Sequence, residues 1–193
     1  MSFKQYRSID LILFVIMYGV CEYLAIKAAT VWFDEPYCIS IMLPMLAIVM
    51  MRWDRYSIIH AVVYALLFVY FQSGSLTQYF IYLIGNLGFM LLLVYMKKVT
   101  KDKIRATFFG SLSYLLIGFL LMEVFRGLAS MLIAGKDAGV IFTFIMTDML
   151  SLVFAILVII IVRRIDGLFI DQKQYLMQLN SQEERIDGGW QDE

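Results

Sequence analysis

TFFGSLSYLLIGFLLMEVFRGLASMLIA, residues 107–134, runs for 28 residues with one acid and one base. At about 1.5 Å of rise per residue, a helix of that length exceeds the roughly 30 Å hydrocarbon core of a bilayer. The apolar character is continuous rather than alternating, which reads as a helix and not as a barrel strand. Glu123 and Arg126 are the anomaly in this run, because a charge at bilayer depth costs roughly 2.5 kcal/mol or more.

The rest of the chain has the same character. Hydrophobic residues make up 62% of the 193 residues and charged residues 17%. A soluble domain has about 45–50% and about 25% respectively. An all-α integral membrane protein of one compact bundle is therefore expected. Net charge is zero, which gives nucleic acid nothing to bind. One histidine and two cysteines, Cys21 and Cys38, supply no metal-ligand set, and no disulfide is expected between them. A P-loop and a GxGxxG stretch are both missing, so no cofactor is implied. MSFKQYRS at the start leads into apolar sequence without a small-residue cleavage site, as in a retained first helix.

Six apolar segments can be marked, at 9–31, 37–51, 57–71, 79–96, 107–134 and 139–162. They predict a six-transmembrane-helix bundle over residues 1–165 and a cytoplasmic, partly helical tail over 166–193. The second and third segments reach only about 22 Å as straight helices, short of a full crossing. With the N-terminus inside, 13 of the 16 Lys and Arg residues fall on the cytoplasmic side, leaving Lys27, Arg126 and Lys136. This positive-inside bias puts both termini in the cytoplasm of a multi-pass plasma-membrane protein. In the tail, Ile165, Phe169, Tyr175, Leu176 and Leu179 share one helical face. The last helix is expected to continue into the cytoplasm and fray near 188–189, as a solvated tail or as a docking surface.

Depth along each segment brings the buried polar residues together. Measured from the outer ends, Glu22 lies about 14 Å down, Asn86 about 11 Å, Arg126 and Glu123 about 12 and 16 Å, and Asp148 about 14 Å. Spacing gives each a helical face: Glu123, Arg126 and Ser130; Tyr79, Tyr82 and Asn86; Tyr18 and Glu22; Thr147 and Ser151 beside Asp148. Ionisable groups in a membrane face the bundle interior or a watery cavity. The candidate substrate-binding set is Glu22, Tyr82, Asn86, Glu123, Arg126 and Asp148, outlining a pocket open to the outside. Arg126 is expected to be held by Glu22 and Asp148. With Lys27 included, the formal charge of the ionisable residues is −1, suited to a polar or weakly cationic small molecule. Trp32, Tyr37, Tyr79, Tyr82 and Phe125 offer rings to stack on it. The competing reading is that these residues pair only with one another and hold helices together. No nucleophile, base and orienting group can be assembled, so no catalytic residue is expected.

RWDRYSIIHAVVYALLFVYFQSGSLTQYFIYLIGNLGFMLLLVYM, residues 52–96, resembles the third helix, outer loop and fourth helix of the substrate-binding S components of energy-coupling factor (ECF) vitamin transporters. RGLASMLIAG, residues 126–135, is a fainter match of the same kind. The resemblance implies a six-helix subunit that takes a vitamin-like molecule from the outer face. It also implies a transmembrane coupling subunit and cytoplasmic ATPases as partners. The family's AxxxA docking surface lies near the start of its first helix, whereas Ala25 and Ala29 stand near the outer end here. Small six-span rod-shape-determining subunits, which scaffold other membrane proteins, share the short loops and helix order. Sequence alone thus favours a solute-binding S component, with a non-transporting scaffold subunit as the alternative.

Overall fold

The computed structural model describes residues 3–32 and 39–188. Every regular element among them is helical: α1 (Phe3–Trp32), α2 (Met42–Trp53), α3 (Ser57–Phe71), α4 (Leu76–Phe89), α5 (Leu92–Lys98), α6 (Lys101–Ala106), α7 (Phe108–Ala134), α8 (Gly139–Thr147), α9 (Met149–Val162) and α10 (Gln172–Gly188), with a 3-10 turn at Asp54–Tyr56. By length and composition, four stretches are apolar enough to cross a membrane: Phe3–Ala29, Met42–Phe71, Leu76–Lys98 and Phe108–Ala134. The pair α8 and α9, bent by 47°, makes a fifth if it is counted as one span. The loop at 34–36, together with Tyr37 and Cys38, lies outside the described residues.

The surface of α1 shows what solvent the helix is built for. Leu11, Phe14, Tyr18, Glu22 and Ile26 are buried, while Ile12, Leu13, Ile16, Val20 and Leu24 are exposed. Water would penalise that outer stripe at about 25 cal/mol for each Å² of apolar surface, and lipid would not. The same arrangement recurs on α9, where Leu152, Ala155 and Ile159 are buried and Val153, Leu157 and Ile161 are exposed.

The 30-residue helical stretch Met42–Phe71 is not one straight rod. Along α1, Glu22 meets Ile41 and Asp10 meets Arg52, so α2 runs against α1. Beyond the 3-10 turn the order reverses: Leu11 meets His60, Tyr18 stacks on Tyr64, and Tyr23 meets Phe71. Asp54, at φ 47° and ψ −119°, makes the reversal possible. The stretch is therefore a hairpin of two short helices, each well under 30 Å. All twelve residues of α2 are buried. Its sequence MLPMLAIVMMRW is apolar on nearly every side, as a helix enclosed by others must be. Pro44 sits in the first turn, where its missing N–H costs nothing.

The long helix α7 packs closely against α4. Thr107 accepts a hydrogen bond from the Gly110 N–H at 3.0 Å and caps its start. Gly135 ends it in the left-handed conformation at φ 61°. Gly85 on α4 leaves the space that the Arg126 side chain fills, and a Cβ there would strike Arg126 Cγ.

The last helix does not run on into the tail as expected. It stops at Val162, and Gly167 at φ 82° turns the chain back toward the bundle. Phe169 is fully buried near Tyr114, with ring centroids 6.2 Å apart. Gln172 Nε2 donates to the Tyr6 hydroxyl at 3.0 Å. Of the expected apolar face, only Phe169 and Leu176 pack on the core, while Ile165, Tyr175 and Leu179 are exposed. A turn that docks one aromatic ring has displaced a continuous helix.

Candidate functional site

Arg126 lies at the centre of a cluster drawn from four segments of chain. Its Nη1 donates to Glu123 Oε1 at 2.8 Å, one turn back on α7, and to Asp148 Oδ2 at 2.6 Å. Its Nη2 lies 3.5 Å from Asn86 Oδ1, with Met122 and Met42 sulfurs at 3.4 and 3.6 Å. The guanidinium also lies over the Tyr82 ring, 4.5 Å from its centroid, in a cation–π contact. Asn86 is oriented by its Nδ2, which donates to the Ala61 carbonyl at 3.0 Å. Phe68 and Phe144 flank Tyr82 at 4.8 and 6.5 Å between ring centroids.

Of the six residues singled out by depth and spacing, Tyr82, Asn86, Glu123, Arg126 and Asp148 come together around one guanidinium. Glu22 is placed beside them but bonded elsewhere. Its Oε2 accepts from the Ile41 backbone N–H at 2.8 Å, at the start of α2. Helix starts carry unpaired N–H groups and a partial positive charge, so a carboxylate is stabilising there. Ser151 Oγ accepts from the Ser40 N–H at 3.0 Å, and Ser40 Oγ from the Met42 N–H at 3.1 Å. These contacts pin the entry of α2 between α1 and α9.

Two expectations about the cluster change. Arg126 is held by Glu123 and Asp148, not by Glu22 and Asp148, because the i,i+3 neighbour is nearer than any other helix. The residues also do not line an open pocket: Glu22, Asn86 and Glu123 are 0% exposed and Arg126 is 1% exposed. Asp148 is partly exposed, with 23% of its side chain accessible. It sits in the break between α8 and α9, which are bent by 47°.

Other spacing arguments divide. Ser130 is buried with the cluster's helix, and Tyr18 turns instead to α3, where its hydroxyl donates to the Tyr64 carbonyl. Thr147 is exposed and bonds back to carbonyls of its own helix. Lys27 is exposed near the Tyr23 ring and stands apart from the cluster. Three acids and one base therefore remain, for a formal charge of −2. His60 is fully buried and contacts the Leu11 carbonyl at 3.0 Å. Met42 was missed, since nothing in sequence points one methionine of α2 at an arginine 84 positions away.

Three buried atoms of this region lack a hydrogen-bond partner: Glu22 Oε1, Glu123 Oε2 and Arg126 Nε. Buried polar atoms are nearly always satisfied by protein, water or ligand. Among the described residues, no three carboxylate, imidazole or thiol groups gather closely enough to hold a metal ion. The unpartnered groups are two carboxylate acceptors and one guanidinium N–H donor, beside the Tyr82 ring.

Comparison with known proteins finds no matching family model, curated protein or solved structure.

Proposed function

We propose that this chain is a membrane-embedded solute-binding subunit that works in the manner of an ECF S component. In this reading six segments span the plasma membrane, both termini are cytoplasmic, and the buried cluster faces the outer half. A small polar, cationic or aromatic molecule of vitamin type binds among Glu22, Tyr82, Asn86, Glu123, Arg126 and Asp148. A coupling subunit and cytoplasmic ATPases supply the energy for its release inward. The carrying observation is that three buried polar atoms of this acid-rich cluster lack a hydrogen-bond partner, beside a broken helix. Broken membrane helices recur at solute sites because they free backbone groups for recognition.

A scaffold subunit of a membrane complex is the second reading. It is favoured by the sequestration of Arg126 between two carboxylates, which suits a lock between helices. The two readings separate on one preparation. Protein purified in neutral detergent is denatured, and the released small molecules are identified by mass spectrometry. A stoichiometric vitamin-like compound, with a thermal shift on adding it back, is expected. No bound compound and no shift with a vitamin panel would reject the solute-binding reading.

A further inference from the structure

A second feature lies at the opposite end of the bundle, near Asp10 rather than Glu22, about 18 Å away along α1. A cavity of about 700 Å³ opens there between α1, the 54–56 turn and the end of α5. Six cationic side chains line it: Arg7, Arg52, Arg55, Lys97, Lys101 and Lys173. Asp54 is the one acid in the lining.

The six cations are not equivalent. Arg52 is buried and already saturated: it makes a two-pronged pair with Asp10, both contacts at 2.9 Å, and also donates to the Gly167 carbonyl. Trp53 Nε1 shares Asp10, at 2.5 Å. Lys101 Nζ is 2.7 Å from both Asp54 and Asp171. These two cations hold the walls in place. Arg7, Arg55, Lys97 and Lys173 make no ion pair among the described residues. Arg7 and Arg55 crowd the same ring, with guanidinium carbons 3.9 and 5.6 Å from the Tyr56 centroid. Phe3 and Trp53 extend the aromatic floor.

Four uncompensated positive charges around one cavity repel one another, and three ion pairs, made by Arg52 and Lys101, fix its walls. We infer that this cavity is a binding site for a phosphate-bearing anion, held by Arg7, Arg55, Lys97 and Lys173 over the Tyr56 ring. Guanidinium groups supply forked donors to phosphate oxygens, and lysines supply point charges. The cavity is lined by the basic ends of the spans, where the headgroup of an anionic phospholipid would lie. A soluble phosphate compound would meet the same donors from the aqueous side.

The test uses the full chain in a neutral maltoside detergent. Short-chain phosphatidylglycerol, short-chain phosphatidylcholine and inorganic pyrophosphate are titrated separately, with binding followed by native mass spectrometry and by thermal shift. Arg55→Gln, Lys97→Gln and Lys173→Gln are made singly, all at exposed positions. Lys103→Gln removes an exposed cation outside the cavity and serves as the control. Each cavity variant is expected to bind about fivefold more weakly, with its ligand-free melting temperature no lower than that of the parent chain, since one repelling charge is gone. Preference for phosphatidylglycerol over phosphatidylcholine assigns a lipid headgroup, and retention of pyrophosphate alone assigns a soluble phosphate. The inference fails if neither anion binds, or if Lys103→Gln weakens binding as much as Arg55→Gln does.

Discussion

Arg126 shows how one residue sets both the stability and the chemistry of the buried cluster. It is 1% exposed and satisfies one oxygen each of Glu123 and Asp148. Arg126→Met leaves both carboxylates without their counter-charge, and breaking such a pair costs about 3–5 kcal/mol. The melting temperature in detergent should fall accordingly. Neutralising all three members, as Arg126→Met with Glu123→Gln and Asp148→Asn, removes the uncompensated charge and should recover most of the loss. The triple variant also divides the two functional readings. A solute-binding site would lose its ligand while regaining stability, whereas a scaffold would lose nothing measurable by ligand titration. The residue types and their common depth could be read from sequence. The pairing could not, because depth along a helix says nothing about which of three acids lies within 3 Å of a guanidinium.

At the scale of elements, the hairpin of α2 and α3 organises the bundle. A straight helix over Met42–Phe71 would be about 45 Å long and could not place Ile41 against Glu22 and Phe71 against Tyr23 at once. Paired cysteines test this directly in a background where Cys21 and Cys38 are replaced. Tyr23→Cys with Phe71→Cys should be joined by a flexible thiol-to-thiol cross-linker of about 10 Å, since the two native rings touch, with centroids 5.6 Å apart. Leu11→Cys with Phe71→Cys should not, being about one helix half-length out of register. Cross-linking of the second pair, or none of the first, would overturn the hairpin. The shortness of these two segments was visible in sequence as two apolar runs separated by RWDRY. That α2 would be enclosed on every side was not, because a fully apolar helix fits lipid and protein equally well. The turn at Gly167 escaped for a related reason: a single glycine in an otherwise periodic tail does not announce that Phe169 has a socket beside Tyr114.

For the whole molecule, helices long and apolar enough to cross a membrane were legible from composition, and the exposed apolar stripes on α1 and α9 are compatible with a lipid surround. Orientation is a separate matter, since the helix packing would be the same with the molecule inverted. The proposed orientation rests on charge placement: Lys97, Lys98, Lys101, Lys103 and Arg105 crowd one end of the bundle, together with Arg7, Arg52 and Arg55. Moving that end across the bilayer would oppose the positive-inside bias at every one of these residues. The opposite end offers the turn at Gln72–Ser75 and the loop at 135–138, where Lys136 is the one cation, with Lys27 on α1 nearby. Single cysteines introduced as Lys103→Cys, Ser73→Cys and Lys136→Cys, again without the two native cysteines, report the topology. A membrane-impermeant maleimide added to intact cells should label positions 73 and 136 and reach position 103 only after permeabilisation. Labelling of position 103 in intact cells would invert the molecule. The phosphate cavity would then face outward and the buried cluster inward, and a solute could no longer reach Asp148 from outside.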